Sequence, residues 1–334
     1  MAATPAAPAD VAATPPSDPG TARIDPGAHG DTQAADSARC LARTGDAVSR
    51  EAQAIHRWVD AAGIVHYADR APPGTVREHR RIALSGVPPI SVEATGYDVN
   101  LPSDVHARAV ADAVAIDRVL RQVFEADGDD RLALRMVFVA STEAYARFVG
   151  EAALARSAGA YSARERTVYV RMQGDAALTF RVLRHEIVHA LVHERVGNLP
   201  TTLNEGLAGY FERFEAAGQG GRVDLSGLGA RLAAAAPSDP AAALTDLLAL
   251  DGPAFYRNEP ERRYAQALAL VAVLMRDAAG RAALGEVLAR QRAQACDPIA
   301  IEAVLDARYP GGLAALADDL AAWMRAPDTA APHW

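Results

Sequence analysis

Five residues, His185-Glu186-Ile187-Val188-His189, constrain this chain more than any other segment. Two histidines four apart leave one face of a helix about one turn apart, which suits two adjacent positions on one zinc ion. Glu186 sits about 100° further round, near such an ion but off it, where a general base belongs. The flanking residues agree with a helix. Asp175 is a good N-cap, Val182, Ile187, Ala190 and Leu191 form an apolar stripe, and Gly197 followed by Pro200 marks a stop. The competing reading of His185, Glu186 and His189 is a polar helix face in water.

Asn204-Glu205-Gly206-Leu207-Ala208 follows shortly after. Glu205 can supply a third protein ligand from the next helix. A fourth position would then stay open for water, the mark of a catalytic site. Thr202-Leu203-Asn204-Glu205 reads equally as a capping box with Thr202 as N-cap, so spacing leaves ligand and cap both open. His193 shares a face with His189, but a third ligand two turns along one straight helix is too far from a shared ion. A third histidine six residues after the second is absent, since position 195 is Arg. His193 is expected near the site or at solvent.

Residues from about 159 to 275 resemble the peptidase MA-like group of gluzincin metallopeptidases. The resemblance rests on Gly159-Ala160-Tyr161, a strand from Thr167 to Met172, the motif from His185 to His189, Leu199-Pro200, and Asn204 to Ala208. It implies that Glu205 is the third ligand of one Zn²⁺. It also suggests that Gly206, Ala208 and Gly209 are small because the two metal helices approach closely. Some gluzincins carry an Asp four residues after the ligand Glu, as partner of a ligand His. Position 209 is Gly here, so that partner must come from elsewhere.

The segment from Ile55 to Pro73 has two short runs around Asp60-Ala61-Ala62-Gly63, which predicts a β-hairpin. Trp58, Asp60, Gly63, Tyr67, Asp69 and Pro72 resemble the pattern of a short domain of unknown function at the N-terminus of many exported bacterial proteins. That favours a periplasmic or secreted location, although the first residues show no charged and apolar export signal.

The expected organisation is a disordered Ala/Pro-rich segment over 1–50, a hairpin module over 51–76, a linker over 77–102, a metallopeptidase domain over 103–326 and a tail over 327–334. Within the main domain the patterns predict helices at 103–125, 141–156, 239–250, 259–277, 280–293, 298–307 and 312–325, and strands at 132–140 and 167–172. The fold class is α+β, with a small sheet packed on the H-E-x-x-H helix and a mostly helical remainder. A net charge of −8 without a basic run argues against nucleic acid. The longest apolar run, Ala265 to Met275, is too short to cross a bilayer. Cys40 and Cys296 are either two thiols or one disulfide.

The resulting expectation is a zinc peptidase in which His185, His189 and Glu205 hold the ion and Glu186 is the base. Tyr264 is the candidate oxyanion donor, by resemblance to the Tyr of other gluzincins, and Tyr161 a second; packing at a helix start is the competing role for Tyr264. The strand over 167–172 is expected to be the edge on which an extended peptide lies. The alternatives are an envelope scaffold that keeps zinc without turnover and a hydrolase of a non-peptide amide.

Overall fold

The computed structural model describes residues 54–59, 65–68, 78–83, 90–123, 132–150, 157–217, 220–257, 259–294 and 297–327. The segment over 1–50, Cys40, Cys296 and the tail after 327 lie outside them.

Strands β1 (Ala54–Val59), β2 (Val65–Ala68) and β3 (Glu78–Ala83) form an antiparallel sheet in the order β2-β1-β3. Val59 pairs with Val65, so β1 and β2 are the predicted hairpin. The stretch over 77–102, expected as a linker, contains strands among its described residues. It holds β3, which pairs with β1, and β4 (Ile90–Tyr97), which belongs to a second sheet. β4 alternates apolar with polar residues from Ile90 to Thr95, but its partner β5 lies across a whole helix in sequence, so its pairing is not a local signal.

The second sheet has the order β4-β5-β7-β6, with β5 at Leu132–Val139, β6 at Gly159–Ser162 and β7 at Thr167–Arg171. β4, β5 and β7 are parallel and β6 runs antiparallel to β7. Helix α1 (Ser103–Val123) joins β4 to β5, and α2 (Thr142–Val149) follows β5. Alternate residues of the strands take opposite faces. Leu132, Leu134, Met136, Phe138, Val168 and Val170 enter the main core with α1 and the helix over 176–195. Val139 and Tyr169 turn the other way, with Phe148 stacked on Tyr169 at 4.9 Å between ring centroids.

Helix α3 (Ala176–Arg195) carries the H-E-x-x-H motif and α4 (Thr201–Phe211) carries Glu205. Asp175 caps α3 by accepting the Ala177 N–H at 2.8 Å. Gly197, at φ 100°, ends it by turning its N–H back to the Val192 carbonyl. Two ion pairs tie α3 to α1: Arg184 to Asp112 at 3.1 Å and Arg195 to Asp117 at 2.6 Å, all four side chains buried.

Seven more helices follow, most of them at the predicted positions: α5 (Gly229–Ala235), α6 (Pro240–Leu248), α7 (Gly252–Arg257), α8 (Pro260–Arg276), α9 (Ala278–Ala293), α10 (Ile301–Arg308) and α11 (Gly312–Arg325). A short hairpin, β8 (Phe214–Ala217) and β9 (Gly220–Val223), stands between α4 and α5. The class is α+β, with a small mixed sheet and a mostly helical C-terminal part. No helix among the described residues is long and apolar enough to cross a membrane.

Two expectations about α4 need correction. Its N-cap is Pro200, without a side-chain cap, and Thr202 is buried inside the helix, donating to the Leu247 carbonyl at 2.7 Å. The capping box is therefore absent. Gly206 is small because of α8, not the metal helix: a Cβ there would stand 2.5 Å from the Ala267 carbonyl oxygen. Gly209 has ordinary room, with Leu268 3.6 Å from an added Cβ.

Candidate metal centre

Helices α3 and α4 bring His185, His189 and Glu205 together, with one potential ligand atom from each within 4.8 Å of the others. Glu205 Oε2 is 3.4 Å from His185 Nε2, and Glu205 Oε1 is 3.6 Å from His189 Nε2. Ligands bound at about 2.0–2.1 Å to a tetrahedral zinc ion stand about 3.3–3.4 Å from one another. The observed spacings lie near that value, so this group could hold a metal. The two imidazoles lie edge to face, 4.7 Å between centroids. His185 is 2% exposed, Glu186 2%, His189 6% and Glu205 1%, which removes the reading as a polar face in water.

Each ring is also held from behind. His189 Nδ1 meets Asn204 Oδ1 at 3.1 Å, and His185 Nδ1 lies 3.8 Å from Glu212 Oε2. Glu212 accepts two hydrogen bonds from Arg181, at 3.0 and 2.6 Å. A hydrogen bond like that from His189 to Asn204 fixes a ring's tautomer and orientation. Glu212 stands behind His185 where position 209 offers no side chain, at ion-pair rather than hydrogen-bond distance. The available signal was its place two helical turns after Glu205, on the same face of α4.

The electrostatics favour positive charge at the centre. Burial alone would lower the His185 pKa, but Glu205 and Glu212 outweigh it and hold the imidazole well above its ordinary 6.5. Burial works against the Glu212 charge as well, yet His185 and Arg181 bring its carboxyl down to about 2. Glu186 is raised, first by burial and then by the Glu205 charge, with both imidazoles opposing. Its Oε2 meets no hydrogen-bond partner among the described residues, while the Tyr161 backbone amide faces its carboxylate.

Glu205 has a further partner that sequence reasoning missed. Tyr256, on α7, donates its hydroxyl to Glu205 Oε1 at 2.6 Å. Tyr264 comes to the same carboxylate from α8, its ring 6.4 Å from that of Tyr256 and 5.2 Å from Phe255. Burial and the Glu205 charge push both phenols well above 10.0, so each stays a donor. Tyr161 sits elsewhere, with its hydroxyl 3.2 Å from His193 Nδ1 and 3.1 Å from Glu194 Oε1. His193 is therefore held by the edge strand, outside the cluster of ligand atoms.

The strand beside the site is β6, not β7. β7 lies between β5 and β6, and β6 has no partner on its outer side among the described residues, which corrects the expectation for 167–172. β6 fits closely over α3 because of Gly159, where a Cβ would stand 2.5 Å from Val182 and 2.8 Å from Glu186 Cγ. A cavity of about 830 Å³ opens from Glu186, His189 and Glu205 and is bordered by Tyr161.

Residues 47–96 match a family described as a domain of unknown function (DUF4124), which is typical of exported bacterial proteins. The match takes in β1 to β3 and most of β4, and ends before α1. No curated protein matches the chain.

Proposed function

We propose that this chain is a zinc-dependent peptidase of gluzincin type, acting in an exported bacterial protein. The observation that carries the reading is the convergence of His185, His189 and Glu205, with Glu186 beside them on α3 and edge strand β6 alongside. A structural zinc site closes all four positions with protein ligands, whereas three ligands next to a cavity suit a catalytic one.

Bound zinc would supply a water of lowered pKa and polarise the scissile carbonyl. Glu186 is the group that takes the water's proton and passes it to the leaving amine. Its raised pKa brings it nearer the operating pH, where such a base works best. Tyr264 and Tyr256, both protonated, are the nearby donors for a developing oxyanion, and Tyr256 also steadies Glu205. The outer edge of β6 offers backbone groups to an extended peptide laid beside Glu186.

Metal analysis together with a peptide-library digest tests the reading. The expected result is about one zinc per chain, with Glu186→Gln keeping the metal and losing turnover by a factor on the order of 10² or more. Undiminished turnover in that variant overturns Glu186 as base. Zinc without any cleavage by the wild type would favour an envelope scaffold or a hydrolase of another amide.

A further inference from the structure

We infer that the cavity beside the metal cluster receives the apolar and cationic part of a peptide, and rejects an acidic one. The inference rests on the peptidase reading of the same site. The cavity leaves Glu186, His189 and Glu205 and runs between the turn at 248–253 and the segment at 298–303. At about 830 Å³ it is in the range of a ligand pocket, with room for more than one side chain. Its inner wall is apolar and buried, built by Val192, Leu199, Leu248 and Ile301.

The full charges on that wall have one sign. Asp251 and Glu302 join Glu186 and Glu205 on the lining, and none of the chain's 34 basic residues does. The inner carboxylates have a task at the centre, where a divalent ion would offset them. The outer pair stands at two helix N-termini, Asp251 before α7 and Glu302 in the first turn of α10, with no basic side chain opposite among the described residues. Asp251 and Glu302 make no ion pair among the described residues. Asp251 accepts the Ala254 N–H at 2.7 Å, which orients its carboxylate and leaves its charge in place.

Two carboxylates without an ion-pair partner, set against an apolar wall, attract a cation at close range and repel an anion. The shared ligand chemistry is an ammonium or guanidinium group next to apolar side chains. It could come from a basic side chain or from a free peptide N-terminus.

The test is binding of labelled peptides to the zinc-loaded Glu186→Gln variant, so that cleavage does not intervene. The probes are apolar peptides carrying one Arg or one Glu, each with a free or an acetylated N-terminus. The Arg peptides should bind tighter than the Glu peptides by on the order of tenfold. Adding Asp251→Asn and Glu302→Gln should bring that ratio close to one; Asn keeps an acceptor for the Ala254 amide. An Arg preference that survives acetylation assigns the cation to a side chain. A preference confined to free N-termini assigns it to the terminal ammonium. Equal binding of all four peptides, or a preference untouched by the double substitution, overturns the inference. Discrimination in binding without cleavage by the wild type would remove the peptidase reading and leave the charge preference standing.

Discussion

Helix α3 has two sides that treat buried charge in opposite ways. Toward α1, Arg184 faces Asp112 and Arg195 faces Asp117, each cation matched to a carboxylate. Toward α4, two imidazoles face Glu205 and Glu212, with Glu186 beside them on α3 itself. Three carboxylates gather there, and Arg181 donates to Glu212. Buried charge is costly unless compensated. The α1 side matches each cation with a carboxylate and ties α3 to α1. The α4 side, where carboxylates hold His185 well above its ordinary pKa, favours added positive charge, which a metal ion would bring.

The contrast can be broken by substitution on either side. On the α4 side, His185→Ala or His189→Ala should abolish stoichiometric zinc, read by metal analysis of purified protein, while the fold survives in circular dichroism. Full occupancy in either variant would remove that side's distinction. On the α1 side, Asp117→Ala breaks a buried ion pair and should cost about 3–5 kcal/mol. That corresponds to a fall in Tm on the order of 10 °C. Zinc stoichiometry of the folded fraction should not change. A negligible Tm shift would mean that the pair does not hold α3.

Tyr256→Phe should show a smaller effect. It removes the donor to Glu205 without emptying the space, and zinc affinity should fall about 10–100-fold in a chelator competition. An unchanged affinity would leave Tyr256 as packing only.

The smallest effect is expected at Glu194, which His193 and Arg166 hold below the ordinary 4.5 against the opposing pull of burial. A lowered carboxyl pKa stabilises the fold above the unfolded value, and that gain is lost as pH falls below it. The Tm deficit of Glu194→Gln should therefore be present at neutral pH and shrink in acid below about pH 4.5. A deficit independent of pH would assign Glu194 a purely steric role.

How much of this was legible in the sequence depended on range. The caps of α3 are local signals, and Asp175 and Gly197 stand where their chemistry predicts. The spacing of His185 and His189 is local as well. Asp112 and Asp117 lie 72 and 78 residues from the arginines they meet, and nothing in α1 marks them as partners. Tyr256 is 51 residues from Glu205, and α7, of 6 residues, is too short to leave a periodic pattern. β6 has only 4 residues and no alternation, so β7, longer and more apolar, drew the assignment of the edge. Thr202 misled for a different reason. Capping chemistry was available to it, but a buried tie to Leu247 took its hydroxyl.

Glu205 is where the account is most exposed, because a metal ligand and an ordinary buried carboxylate predict different things there. The direct measurement is zinc affinity of Glu205→Gln beside its circular dichroism. Gln keeps the shape and an acceptor for the Tyr256 hydroxyl but removes the charge. The account predicts a wild-type spectrum with severely weakened zinc binding. Zinc bound as tightly as by the wild type would contradict it, and the metal centre would lose its third ligand.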